Sequence, residues 1–245
     1  MARSLLIRGM LAGLAAGLAG FVVALLIGEP PVAQAVAVES AHAVQHAAHE
    51  PPLVGRGIQS TIGLFAATTV FSVGLGGIFA LAFGAVQGRI ALGARALAAI
   101  LAVAGFVVVY LVPFLKYPAN PPAVGSPDTI GRRTALYFTM IALSLLVAVL
   151  AVVAARALWA RIGAWNAVTA GGLLFVAAAG LVSWAMPVIN ELHSDFPAPT
   201  LYAFRLASIG IQLALWATLG LVFGALTERS LRTGNVTRAP LPAQA

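Results

Sequence analysis

Three of the chain's four histidines lie close together in an alanine-rich segment. His42, His46 and His49 are spaced by four and three residues, and Glu39 precedes His42 by three more. On a helix these spacings place all four side chains along one stripe. Imidazole nitrogens bind late first-row divalent ions, and a carboxylate adds a harder ligand with negative charge. The segment therefore predicts a site for Co²⁺, Ni²⁺, Zn²⁺ or Cu²⁺. A solvated polar face on an amphipathic helix explains the pattern equally well.

A second group of potential ligands follows Pro187. Glu191, His193 and Asp195 stand at alternating positions, so an extended segment could point all three side chains the same way. The alternative is an ordinary hydrated loop whose acids cap the helix that follows. If the two segments meet, they could form one metal site.

Both groups belong to a chain that must be mostly embedded in lipid. Of its 245 residues, 61% are hydrophobic and only 9% are charged, whereas a soluble domain carries roughly 25% charged residues. Long apolar runs separate the polar segments, and a run of about 20 residues crosses a bilayer as a helix. The net charge of +7 sits at the ends of these runs and forms no basic face with interleaved aromatics. Nucleic acid is therefore not a predicted partner.

We predict an all-α polytopic membrane protein, a bundle of about six transmembrane helices. The predicted spans are residues 5–27, 58–83, 95–115, 129–155, 166–186 and 201–226. Residues 1–230 would form a single transmembrane domain, followed by a disordered cytoplasmic tail at residues 231–245. Five spans would remain if the first run is atypical or is cleaved as a signal peptide. Within that run, Gly13, Gly17 and Gly20 predict a packing face of small residues.

The charges are divided unequally between the two ends of such a bundle. With six spans, the side that holds both termini carries nine arginines and one acid, Glu228. The other side carries five cations, six of the seven acids and all four histidines. The excess of arginine places both termini in the cytoplasm. We expect a multi-pass protein of a bacterial inner membrane, with its potential metal ligands on the outer face.

A proline-rich loop on this outer side separates the third and fourth predicted spans. Its density of proline and glycine over residues 116–133 excludes a helix through the loop. Asn120 and Asp128 offer oxygen ligands. Arg132 and Arg133 could pair with Glu191, with Asp195 or with lipid phosphates. We interpret the loop as a rigid entrance beside the histidine segment.

Several classes of chemistry find no support in the sequence. There is no phosphate-binding G-x-x-x-x-G-K-[ST] loop for ATP, no H-E-x-x-H and no G-x-S-x-G. The absence of cysteine excludes thiolate metal sites. No acid falls in the middle of a predicted span, so a carboxylate proton relay is not indicated. We predict neither an enzyme nor a permanently bound cofactor.

The loop and two further segments resemble a known family. PFLKYPANPPAVGSPDTIGRRTALY, Pro113–Tyr137, resembles the signature of the CbtA family of predicted cobalt transporter subunits. DFPAPTLYAFRLASIGIQLALWATLG, Asp195–Gly220, and the glycine-bearing first run are similar as well. The resemblance implies a membrane subunit for cobalt uptake towards cobalamin synthesis. It also implies Co²⁺ (or Ni²⁺) as the transported ion and a small, single-span, histidine-rich CbtB-like partner subunit. It carries no ligand assignment.

The leading hypothesis is capture of the ion on the outer face by the histidine segment, with the Glu191 group supplying second ligands. Transport of another divalent ion such as nickel is one alternative. A non-transporting scaffold or assembly protein in the membrane is the other.

Overall fold

A computed structural model describes residues 2–45, 55–122, 124–125, 127–192 and 196–236 of the protein, and these are mostly helical, without a β-strand. The α-helices in these ranges are α1 (Ala2–Val23), α2 (Glu29–Gln45), α3 (Arg56–Ile58), α4 (Leu64–Val86), α5 (Ala94–Gly105), α6 (Val112–Lys116), α7 (Ile130–Ile162), α8 (Ala164–Ala185) and α9 (Ala198–Val236).

Six continuous helical stretches are long and apolar enough to cross a bilayer, which confirms the predicted fold class. They are Ala2–Ala41, Arg56–Val86, Ala94–Lys116, Ile130–Ile162, Ala164–Ala185 and Ala198–Arg232. Large apolar side chains such as Val70, Leu115 and Trp184 are more than 70% exposed. In water this exposure would be costly, but in a membrane these side chains meet hydrocarbon.

Three of these stretches contain a π-helical turn, at Ala24–Gly28, Gln59–Gly63 and Phe106–Leu111. The first lies directly before Pro30 and Pro31. A proline inside a helix lacks an N–H donor, and its ring clashes with the carbonyl four residues earlier. In the wide turn the Glu29 N–H bonds the Ala24 carbonyl, five residues back. This shift gives the proline rings room, so the helix continues.

The first span is therefore longer than predicted. Its end was expected near Ile27, but α2 carries the helix onward to Gln45. A helix of that length, at 1.5 Å per residue, is about twice the thickness of the hydrocarbon core. The last span is also longer, since α9 continues to Val236, beyond the point where the tail was expected to begin.

The chain divides into two compact units. The first comprises Met1–Pro30, His49–Ala104 and Leu206–Ala245, and the second comprises Pro31–Ala48 and Gly105–Arg205. The prediction of a single transmembrane domain over residues 1–230 stays a prediction.

Close backbone contact between α1 and α4 dominates the first unit. A Cβ at Gly76 would collide with the carbonyl oxygen of Gly9, and one at Gly13 would collide with that of Ser72. A Cβ at Gly17 would lie 2.9 Å from the Cα of Thr69 in α4. Gly13 and Gly17 therefore form a packing face of small residues, as predicted. Gly20, the third predicted member, faces α9 at ordinary contact distance.

The second unit is built around the packing of α7 on α8. Gly171 of α8 lies against Ala151 and Ala155 of α7. At the start of α7 the chain also contacts the π-helical turn of the third span and α6. The beginning of α7 is the part of this unit where polar side chains gather.

Candidate functional site

The second unit contains a cavity of about 500 Å³ beside the first two turns of α7. One face of α7 forms a wall of it, because the lining positions recur every three or four residues. Residues of the third span, the two neighbouring loops and α9 form the rest. The lining residues are Tyr110, Phe114, Tyr117, Pro118, Ala119, Asn120, Ile130, Arg133, Thr134, Tyr137, Phe138, Ile189, Asn190, Glu191, Leu192 and Arg205.

Tyr117 connects the two loops of the cavity. The helix of the third span ends at Lys116, and the prolines that follow cannot continue it. The Tyr117 hydroxyl donates a hydrogen bond of 2.7 Å to the carbonyl of Pro187, which lies in the loop after α8. Burial raises the pKa of Tyr117, and nearby Arg132 only partly opposes this shift. The phenol therefore keeps its proton at neutral pH and remains a donor.

An ion pair at the edge of the cavity joins α7 to the loop after α8. Arg133 Nε lies 3.4 Å from Glu191 Oε2, and both side chains are largely buried, at 28% and 17% exposure. Of the pairings that the sequence left open for Arg132 and Arg133, the one between Arg133 and Glu191 is present. Gly125 packs against the pair with a φ of 97°, and a Cβ there would collide with the Arg133 guanidinium. Glu191 could bind a metal only by exchanging this partner.

Arg205 of α9 is the second cation of the cavity. Its Nε donates to the Ala119 carbonyl at 3.3 Å, and its Nη2 donates to Asn120 Oδ1 at 3.1 Å. The amide oxygen of Asn120 therefore faces a positive charge, which disfavours its use as a ligand for a cation. The sequence analysis did not assign Arg205 to a site. The available signal was a charged residue near the start of an apolar run.

The histidine segment begins on α2. Glu39 is exposed, and His42 stands three residues further along the same continuous helix. In the same unit, Thr200 at the start of α9 donates a hydrogen bond of 2.9 Å to Gln34 Oε1 of α2. The structure thus confirms a helix through the first two positions of the predicted stripe.

Four of the seven predicted ligands lie outside the described residues: His46, His49, His193 and Asp195. Within the described part of the chain, no three His, Asp or Glu side chains are grouped closely enough to hold a metal ion. Of the three described candidates, Glu39 and His42 lie one turn apart on α2, and Glu191 is paired with Arg133.

Within the described residues, six helices long and apolar enough to cross a membrane define a multi-pass helical membrane protein. The family model described as "Probable cobalt transporter subunit (CbtA)" matches residues 2–228. The chain belongs to this family, and the resemblance drawn from Pro113–Tyr137 is confirmed. No curated protein and no solved structure matched the chain. Membership of a family of transporter subunits implies a metal ion as the substrate and further subunits as partners.

Proposed function

We propose that this CbtA protein is the membrane subunit of a cobalt uptake transporter and captures Co²⁺ on the outer face of a bacterial inner membrane. The ligands are His42, His46 and His49, with Glu39 as a carboxylate ligand. The carrying observation is that α2 and the loop with Glu191 belong to one compact unit. The described parts of both ligand groups therefore belong to the same unit.

The hydrogen bond from Thr200 to Gln34 supports this proposal. Gln34 lies two turns before His42 on α2, and Thr200 lies five residues after Asp195. The bond therefore holds the part of α2 that precedes Glu39 against the start of α9. His193 and Asp195 would complete the coordination. Glu191 would contribute only when the ion displaces Arg133 from its carboxylate.

The proposed orientation has both termini in the cytoplasm. The nine arginines on the terminal side support it through the positive-inside rule. Arg8 near the N-terminus donates a hydrogen bond to Ser230 near the C-terminus, which fits termini on a common side. Around them, Arg95 and Arg232 each contact Glu228 at 2.6 Å.

The route through the bundle needs further groups, and we propose that a small single-span CbtB-like subunit supplies them. Buried hydroxyls of Ser72, Ser144 and Thr227 lack hydrogen-bond partners in the described part of the chain, but hydroxyls are poor ligands by themselves. We propose no enzymatic activity and no permanently bound cofactor.

Co-purification with a CbtB-like subunit tests the proposed partner. Cobalt transport at full rate by this chain alone would contradict the need for that subunit.

One labelling experiment tests both the side and the metal binding. The chain has no cysteine, so Ser40→Cys introduces a single thiol on the exposed part of α2, between Glu39 and His42. We expect a membrane-impermeant maleimide to label this thiol in intact cells, and Co²⁺ to slow the labelling. Cobalt bound to the neighbouring imidazoles would shield the thiol or ligate it.

Two controls accompany it. Gly93→Cys lies in the loop after α4, where the proposed orientation is cytoplasmic, and it should react only after the cells are opened. Ser40→Cys combined with Ala at the three histidines should react at the same rate with and without Co²⁺. Labelling of Gly93→Cys from outside, or cobalt protection without the histidines, would contradict the proposal. Repeating the protection with Ni²⁺ compares the two candidate ions.

A further inference from the structure

Arg205 carries a positive charge into a membrane-spanning helix. Its described hydrogen-bond acceptors, the Ala119 carbonyl and the Asn120 amide oxygen, are both neutral. The described ion pairs of Glu29, Glu191 and Glu228 do not include Arg205. A half-buried guanidinium is expected to have an anionic partner, because neutral acceptors compensate its charge only in part.

Tyr110 lines the same cavity and has an unused hydroxyl. The residue is 8% exposed, and its hydroxyl has no hydrogen-bond partner in the part of the chain that the structure describes. A buried hydroxyl without a partner is unfavourable, and native structures usually satisfy it with protein, water or a ligand. The cavity that Tyr110 lines is large enough to hold such a ligand.

The charge of the cavity selects an anion over a metal ion. Arg133 and Arg205 contribute two positive charges, and Glu191 contributes one negative charge that Arg133 already compensates. A divalent cation would be repelled by this net positive charge. The volume of about 500 Å³ is that of a small-molecule site and far exceeds what a bare ion needs.

The cavity also has an apolar wall that opens towards the surroundings of the bundle. Ile130 and Phe138 line it, and they are 55% and 63% exposed. Both lie near the start of α7, a helix long and apolar enough to span a membrane, and the ends of such a helix reach the region where headgroups meet acyl chains. An occupant that satisfies both features has an anionic head and apolar tails.

We propose that this cavity binds the phosphate headgroup of an anionic phospholipid. The Arg205 guanidinium and the Tyr110 hydroxyl contact the phosphate oxygens, and the acyl chains follow Phe138 and Ile130 into the bilayer. A lipid held in this way joins the third span, α7 and α9 at their outer ends and supports the loops that surround the cavity.

Thermal unfolding of the full chain, purified in detergent, tests this inference with three additives. These are phosphatidylglycerol, phosphatidylcholine with the same acyl chains, and inorganic phosphate. We expect phosphatidylglycerol alone to raise the Tm, by about 5 °C near saturation. Arg205→Gln should abolish the shift, and native mass spectrometry should find about tenfold less retained lipid on this variant.

Arg132→Gln is the matched control, because Arg132 is exposed and does not line the cavity. This variant should retain the full shift. Tyr110→Phe removes only one oxygen atom and serves as the second test variant if Arg205→Gln does not fold. It should reduce the amount of retained lipid. The proposal is overturned if Arg205→Gln or Tyr110→Phe binds phosphatidylglycerol as the unmodified chain does. It is overturned equally by an equal response to phosphatidylcholine, or by stabilisation with inorganic phosphate alone.

Discussion

At the scale of single residues, Gly125 decides whether the Arg133–Glu191 ion pair can form. Its φ of 97° is in the left-handed region, which L-residues with a side chain rarely adopt. A Cβ would also lie 2.7 Å from Glu191 Oε2. Both the backbone and the neighbouring side chains therefore require glycine at this position.

Gly125→Ala should destabilise the protein by about 1–3 kcal/mol, from backbone strain and displacement of the ion pair. Gly131→Ala is the control, because that glycine lies in α7 with no neighbouring atom near a Cβ. The Tm of purified protein in detergent measures the difference. Equal Tm values for the two variants would contradict the requirement for glycine at position 125.

The sequence could predict the Arg133–Glu191 pair but not the bond between Arg205 and Asn120. The first follows from opposite charges in two loops on the same side of the bundle. The second joins a cation to a neutral amide 85 residues away, and no charge or spacing rule points to it. The unused hydroxyl of Tyr110 is also visible only once its neighbours are known, since tyrosines are common near membrane interfaces.

At the scale of elements, the contact between α1 and α4 depends on glycine. Backbone atoms of the two helices approach so closely that the carbonyl oxygen of Gly9 occupies the place of a side chain at Gly76. The small-residue pattern predicted a packing face on α1. It could not name the partner, because glycine spacing of this kind is common in membrane helices.

Gly76→Ala should lower the Tm of the purified protein, because overpacking a close helix contact costs about 1–3 kcal/mol. Gly77→Ala places the same methyl group one residue further, in open space, and should be neutral or slightly stabilising. The comparison cancels the intrinsic helix preference of alanine. A Gly76→Ala protein as stable as Gly77→Ala would contradict the described packing.

The continuity of the first helix through Pro30 and Pro31 was not predictable in the same way. Two adjacent prolines ordinarily end a helix, and the sequence analysis placed the end of the span just before them. The π-helical turn at Ala24–Gly28 changes that outcome, and such turns have no reliable sequence signature. As a result, one continuous helix runs from α1 through α2 to His42.

At the scale of the whole molecule, hydropathy and charge were sufficient to predict the fold class. Six apolar runs and few charges define a membrane bundle, since only closed backbone hydrogen bonding is tolerated in lipid. The amino-acid sequence of Pro113–Tyr137 then indicated the family, and the match to the family model confirmed it. The sequence could not supply the choice that Glu191 makes among its possible partners. Its pairing with Arg133 weakens one of the seven predicted metal ligands.

Cobalt accumulation at limiting metal concentration tests the central claim most directly. Cells expressing the transporter with Ala at His42, His46 and His49 are compared with cells carrying the matched variant Ser40→Ala, Gln45→Ala on the same helix. Loss of imidazole ligands should reduce the initial uptake rate about tenfold or more, since weakened coordination lowers metal affinity by such factors. The matched variant should accumulate cobalt as the unmodified chain does. Equal uptake by the histidine variant, at equal protein levels in the membrane, would contradict capture by this segment.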